Sequence, residues 1–201
     1  MYLSTFYQKK HFYKSSVSKP LKSGDLQQKT LNFSFKNLVS DTILYMNIKI
    51  IAVGKIKEKY VKSAVDEYIK RLSPYFRLSV VEIQAERILD ESLAEKYKEI
   101  EADKILAAIK PEAYIFTLEI QGKMLSSEDF AVKIKELTNS GISELVFIIG
   151  GANGLHKKVS DISNFKISFS KMTFTHQMIR IILAEQIYRT CKINNNESYH
   201  R

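Results

Sequence analysis

The chain is poor in the residues that support covalent and metal chemistry. Its 201 residues include one cysteine, Cys191, and four histidines, His11, His156, His176 and His200. A lone thiol makes no intrachain disulfide and cannot build a thiolate zinc site, which suits a reducing cytoplasm. The histidines lack metal-ligand spacing, so no metal is expected. No apolar run is long enough to cross a bilayer, so no membrane partner is expected either. Familiar ligand signatures are missing as well. Gly154 is followed by Leu155-His156-Lys157 rather than Gly-Lys-Ser/Thr, which argues against a nucleoside triphosphatase. After the first apolar segment stands only Gly54, followed by Lys55, so neither dinucleotide binding nor the ordinary Rossmann cofactor mode is supported. There is no Gly-x-Ser-x-Gly elbow, and Cys191 lies within a helical pattern, leaving covalent catalysis without a nucleophile.

Positive charge is plentiful but unevenly placed. The formal net charge is +9, and residues 1–45, with seven lysines and two aspartates, hold +5 of it, leaving +4 for residues 46–201. The balance permits an RNA partner without demonstrating one. Residues 1–45 are rich in lysine, serine and aromatics and show no sustained period. An extension upstream of a native start at Met46 is the expectation; a transit peptide competes, although arginine is absent, a secretory signal is disfavoured because no apolar core follows the early lysines, and an RNA-binding tail stays open. The expected organisation is an N-terminal extension over residues 1–45, disordered or outside the native protein, and a single domain over 46–201.

From Met46 the pattern alternates between strands and helices. Asn47 to Val53 reads as a buried strand, and Tyr60, Val61, Ala64, Val65, Tyr68, Ile69 and Leu72 recur at helical spacing until Pro74. Leu78 to Gln84 reads as a strand, Glu91 to Lys110 as a charged helix ended by Pro111, and Ala113 to Glu119 as the third strand. Ser126 and Ser127 cap a helix that Gly141 closes. Leu145 to Ile149, Phe165 to Ser168 and a final helix from His176 to Arg189 complete the set. Strands separated by helices predict an α/β fold, a mainly parallel sheet with helices on both faces.

Two loops stand out. Leu145 to Ile149 empties into Gly150-Gly151-Ala152-Asn153-Gly154, and glycines at a strand end suit either a plain connector or a ligand approaching backbone. The second, Phe169-Ser170-Lys171-Met172-Thr173-Phe174, leads into the final helix. That helix is apolar around most of its circumference, so Arg180 and Glu185 within it must be paired or functional. Read alone, Leu118, Phe169, Met172 and Phe174 are core residues, whereas Ser170, Lys171 and Thr173 are polar groups in need of partners.

These segments, with His176-Gln177-Met178, the terminal Tyr199-His200-Arg201 and the start at Met46 through Ile50-Ile51-Ala52-Val53-Gly54-Lys55, resemble the ribosomal RNA large subunit methyltransferase H family. The resemblance runs from Met46 to Arg201. It implies a SPOUT-class methyltransferase with a C-terminal trefoil knot, which base rates for threaded chains would not suggest. It implies S-adenosyl-L-methionine as cofactor, bound in a bent conformation by Leu118, Gly150 and Phe169, Ser170, Lys171, Met172, Thr173 and Phe174. The implied reaction is methylation of N3 of a pseudouridine in 23S ribosomal RNA. The implied partners are that RNA in the ribosome and a second copy of the chain, a homodimer that completes the site. Catalytic candidates are Tyr199, against the base; His200, whose ordinary pKa suits a proton acceptor; and Arg201 or Arg180, on phosphate. Thr175 stands where the family generally has proline, and threonine can cap the helix instead. The alternative to an enzyme is a non-catalytic α/β module that binds RNA or ribosomes.

Overall fold

The computed structural model describes residues 46–86 and 90–199, so the expectation for residues 1–45 lies outside the described residues. Five strands, β1 (Asn47–Val53), β2 (Arg77–Ile83), β3 (Tyr114–Met124), β4 (Glu144–Ile149) and β5 (Phe165–Ser168), form one sheet in the order β2-β1-β4-β3-β5. Every pairing is parallel, with Ile50 beside Val80 and Phe147, and Phe116 beside Phe147 and Phe165. The helices are α1 (Lys59–Leu72), α2 (Ala94–Ala107), α3 (Ser127–Asn139), α4 (Lys157–Asp161) and α5 (Met178–Asn194).

Strand alternation sorts the side chains into two cores. Ile48, Ile50 and Ala52 of β1 and Leu145, Phe147 and Ile149 of β4 face Leu72 of α1, Phe130 and Ile134 of α3, and Ile179, Leu183 and Ile187 of α5. Their neighbours Ile51, Val53, Val146 and Ile148 meet Ala102 and Ile105 of α2 and Val159 of α4 on the other face. Strands buried on both faces read as continuous apolar runs, which is why β1 and β4 were legible from composition. Phe116 stacks on Phe147 with ring centroids 4.6 Å apart and anchors the first core.

Element boundaries differ from expectation in ways with local causes. The charged helix begins with a 3-10 turn at Glu91–Leu93 and its α-helical part stops at Ala107, ahead of Pro111. Proline disfavours helical backbone in the residue before it, which shortens the run. Strand β3 continues to Met124 because Gly122 lies against β5: a Cβ there would sit 2.6 Å from the Ile167 carbonyl carbon. The pairing slips at that point, with Leu118 and Lys123 both opposite Ile167. Helix α4, only 5 residues long, is too short to show a period and was not expected. Helix α5 starts at Met178 and runs beyond Arg189 to Asn194. Ser126 caps α3, accepting from the Asp129 amide at 3.0 Å, as the sequence predicts.

At the amino ends of the strands, far from the loops singled out above, buried Glu144 meets Lys49 at 3.1 Å and Lys110 at 3.2 Å. Burial works to raise the Glu144 carboxyl, but the two ammonium groups outweigh it and hold it below the ordinary carboxylate range. A depressed carboxyl contributes stability that is present above its unfolded pKa and lost as pH falls through the folded value. The denaturation midpoint should therefore fall as the solution is acidified below about 4.5. Glu144→Gln should flatten that acid limb and cost about 1 kcal/mol at neutral pH, read by urea unfolding, since the lysines it leaves reach solvent.

Candidate active site

A cavity of about 670 Å³ opens at the carboxyl ends of β4 and β5, beside the middle of β3, on the side where open α/β sheets take their ligands. Leu118, Glu119 and Ile120 of β3 form one wall. Ile149 and the loop from Gly150 to Gly154 form the second, and Ile167 to Ser170 with Met172 to Thr175 the third. His176, Gln177, Met178 and Ile179 close the base of α5 against it, with Glu58 and Tyr60 at the start of α1 opposite. Of the cofactor residues implied by resemblance, Leu118, Gly150, Phe169, Ser170, Met172, Thr173 and Phe174 all line this one cavity. Lys171 is exposed in the same loop and is not among the wall residues.

The glycine loop has its own reason for glycine. A Cβ on Gly150 would lie 2.7 Å from the Gly154 carbonyl carbon, and Gly154 itself has φ +75°. The Gly154 amide donates to the Gly151 carbonyl at 3.1 Å, closing a tight turn. Gly150 thus serves the turn and borders the cavity at once, two uses the sequence left open. The 168–174 loop is organised by serines: Ser168 Oγ donates to the Ser170 carbonyl at 3.0 Å, and the Met172 amide donates to Ser170 Oγ at 2.9 Å. Phe169 is half-buried against the first core, but Met172 and Phe174 are exposed at the cavity, so they are not core residues. Thr175 Oγ1 accepts from the Met178 amide at 3.2 Å, capping α5 as threonine was expected to do.

Arg180 carries the other half of the architecture. Its side chain is 0% exposed, and it donates to Glu82 Oε1 at 2.8 Å and to the carbonyls of Val53 at 3.2 Å and Gly54 at 2.5 Å. The Ile56 amide adds a bond to the same Glu82 oxygen at 2.7 Å, and the Lys57 amide donates to Gln177 Oε1 at 3.0 Å. Burial lowers the guanidinium pKa and Glu82 counters it. A cation so enclosed is not available to RNA phosphate, which corrects that expectation for Arg180. Glu185 is paired with Arg189 at 2.5 Å.

Two further wall residues were not assigned from sequence. Glu119 accepts from Ser160 Oγ at 2.9 Å and from Thr117 Oγ1 at 2.7 Å, joining β3 to α4. His176 lies over Gly54, whose φ of +87° only glycine adopts readily; a Cβ there would be 3.1 Å from His176 Nε2. The spacing of Gly54 and His176, far apart in the chain, carries no signal of this contact.

The terminal signature divides. Tyr199 packs edge-on against Tyr188 with centroids 4.9 Å apart, beneath the Arg189 guanidinium at 5.0 Å, and its hydroxyl is 3.4 Å from Glu185. Burial above all pushes its phenol up to about 12, so it stays protonated. It sits on the flank of α5 and is not in the wall of its own chain's cavity. His200 and Arg201 lie outside the described residues.

The cavity's size and chemistry suit S-adenosylmethionine. Leu118, Ile149, Ile167 and Phe169 are apolar wall residues between which a purine would fit, beside strand-end backbone that could hydrogen-bond it. No group of three or more His, Cys, Asp or Glu placed to hold a metal occurs among the described residues, and no helix among them is long and apolar enough to cross a membrane.

The family model described as "Predicted SPOUT methyltransferase" matches residues 46–200. A relative from Methanococcus maripaludis (strain C5) is 52% identical over 159 residues, 78% of this chain and 100% of its own length. The ribosomal RNA large subunit methyltransferase H of Clostridium botulinum (strain Alaska E43) is 50% identical over 159 residues, again covering 78% of this chain and 100% of that protein. Among solved structures, a probable methyltransferase from Bordetella pertussis Tohama I shares the fold at a TM-score of 0.50 and 12% identity, over 77% of this chain and 98% of that one.

Glu82→Ala should strand the buried Arg180 cation and cost about 3 kcal/mol in urea unfolding, far more than loss of a surface pair. Gly150→Ala should displace the 150–155 backbone, seen as amide shift changes confined to the cavity, and weaken S-adenosylmethionine binding in calorimetry. Unchanged amide shifts and affinity would contradict the packing described for Gly150.

Proposed function

The chain belongs to the ribosomal RNA large subunit methyltransferase H family of SPOUT methyltransferases, and we propose that it methylates N3 of a pseudouridine in 23S ribosomal RNA. The observation that carries this reading is the convergence of three sequence-distant segments, at Leu118, Gly150 and Phe169–Phe174, on one cavity. S-adenosylmethionine, when bound there, supplies a methyl group already activated on a sulfonium centre. The residues of the chain then have two tasks. Leu118, Ile149, Phe169 and the glycine loop hold the donor in one orientation, and fixing donor and acceptor in that way removes roughly 7–11 kcal/mol of barrier in favourable cases. The N3 proton must also leave.

A homodimer fits the exposed apolar residues around the cavity. Tyr60 is 63% exposed and Met172 75%, and Ile120, Phe174 and Met178 are also exposed there. Large apolar groups clustered at one opening favour cover by a partner surface, here a second copy about a two-fold axis. In that arrangement Tyr199, His200 and Arg201 of one chain reach the partner's cavity, Tyr199 against the base, Arg201 on phosphate and His200 beside the reacting group. The domain from Met46 onward is the working protein in this reading, and residues 1–45 are dispensable.

Calorimetry with S-adenosylmethionine and a methylation assay on intact ribosomes and separated subunits test the proposal. Binding with methyl incorporation into 23S RNA is expected. No heat and no incorporation would favour a non-catalytic RNA-binding module. Mixing a chain lacking Tyr199–Arg201 with a Gly150-disabled chain should recover part of the activity, and a fully active monomer would overturn the shared site.

A further inference from the structure

Removing the N3 proton requires an acceptor within reach of the bound base. Four titratable side chains stand in the cavity wall: Glu58, Tyr60, Glu119 and His176. Glu119 has its carboxylate oxygens engaged by Thr117 and Ser160. Glu58 and Tyr60 are exposed at the start of α1, and a phenol accepts a proton only after losing its own. His176 is different. It is half-buried, it lines the cavity between the 168–175 loop and α5, and no hydrogen bond to either ring nitrogen is seen among the described residues. The ring is also held in place, by contact over the bare backbone of Gly54 and by the Gln177 bonds that tie residues 57 and 58 to the same turn.

We propose that His176 is the proton acceptor of the methyl transfer, taking the N3 proton of the target pseudouridine onto a ring nitrogen. This inference rests on the methyltransferase reading above. In the step, the N3–H electron pair remains on nitrogen and forms the N3–methyl bond. The carbon–sulfur pair departs with sulfur as a neutral thioether, and the proton moves to His176, which then passes it to water at the cavity mouth. The groups facing His176 agree with this role. Arg180 of α5 and Lys57 of the β1–α1 segment are cationic neighbours; Glu82 of β2 is already committed to Arg180, and Glu58 is exposed at the rim. Burial first, then Arg180 and Lys57, lower the imidazole pKa, so the ring is neutral and able to accept at physiological pH. His200 would arrive only with a second chain, whereas His176 is built into the cavity of each one.

The full chain is tested with His176→Asn and His176→Gln, each assayed on ribosomes in single turnover and by calorimetry with S-adenosylmethionine. Methyl transfer should fall about 10²–10⁴-fold with cofactor affinity nearly unchanged. In the wild type the rate should be flat near neutrality and fall only below the ordinary histidine range; the variants should lose that break and regain rate with added imidazole. The His176 ring resonances in the free protein should titrate at the same depressed midpoint. If the wild type binds and methylates while the variants keep its rate or its acid break, His176 is not the acceptor. Equal loss of cofactor affinity and rate without imidazole rescue would make its role structural and overturn the proposal too. A wild type inert on ribosomes and silent in calorimetry overturns the methyltransferase reading itself.

Discussion

The cavity depends on the burial of one charge. Arg180 is wholly enclosed, and its guanidinium ties the first turn of α5 to Glu82 of β2 and to the carbonyls at the end of β1. A cation without water is tolerated only when charge and hydrogen bonds replace its hydration, so these groups cannot move independently. That constraint fixes α5 at the carboxyl edge of the sheet. It thereby sets where His176, Gln177 and the preceding loop meet Gly54 and the start of α1.

The sheet supplies the rigid reference for this arrangement. With β1 and β4 central and covered on both faces, their carboxyl ends have little freedom. The stacked pair Phe116 and Phe147 locks β3 to β4 two residues before Leu118 and Ile149, which border the cavity. Side chains on such elements are held more closely than side chains on free loops, as transfer chemistry with little covalent assistance requires. The two loops that complete the cavity are made stiff by different means. One turns on glycines in close backbone contact, the other on serine hydroxyls bonded to neighbouring amides and carbonyls.

Packing of the C-terminal segment bears on how the site is completed. Tyr199 is held by Tyr188, Arg189 and Glu185 on the flank of α5. Tyr199 does not line the cavity of its own chain. The proposed homodimer would reconcile that placement with the terminal signature, and the exposed apolar rim of Tyr60, Ile120, Met172, Phe174 and Met178 is where the proposal seats the second copy.

Much of the fold was readable in advance because its signals are local. Apolar runs of strand length, helical spacing in α1, Ser126 before α3 and prolines after helices each act within a few residues, and together they predict a parallel α/β sheet with helices on both faces. The segments at Gly150 and Phe169–Phe174 were also distinctive as sequence. What the chain could not disclose locally were contacts between distant residues. Gly122 extends β3 because it touches the backbone of Ile167; Gly150 is glycine because Gly154 is 2.7 Å from its absent Cβ; Arg180 is sealed by Val53, Gly54 and Glu82 instead of facing RNA. His176 gains its unpartnered place in the cavity from Gly54, more than a hundred residues earlier. Local pattern determined the elements and their faces, since propensity and periodicity are properties of neighbouring residues. Which polar groups are paired and which stand free was decided only by tertiary structure, because pairing depends on groups brought together when the helices pack on the sheet.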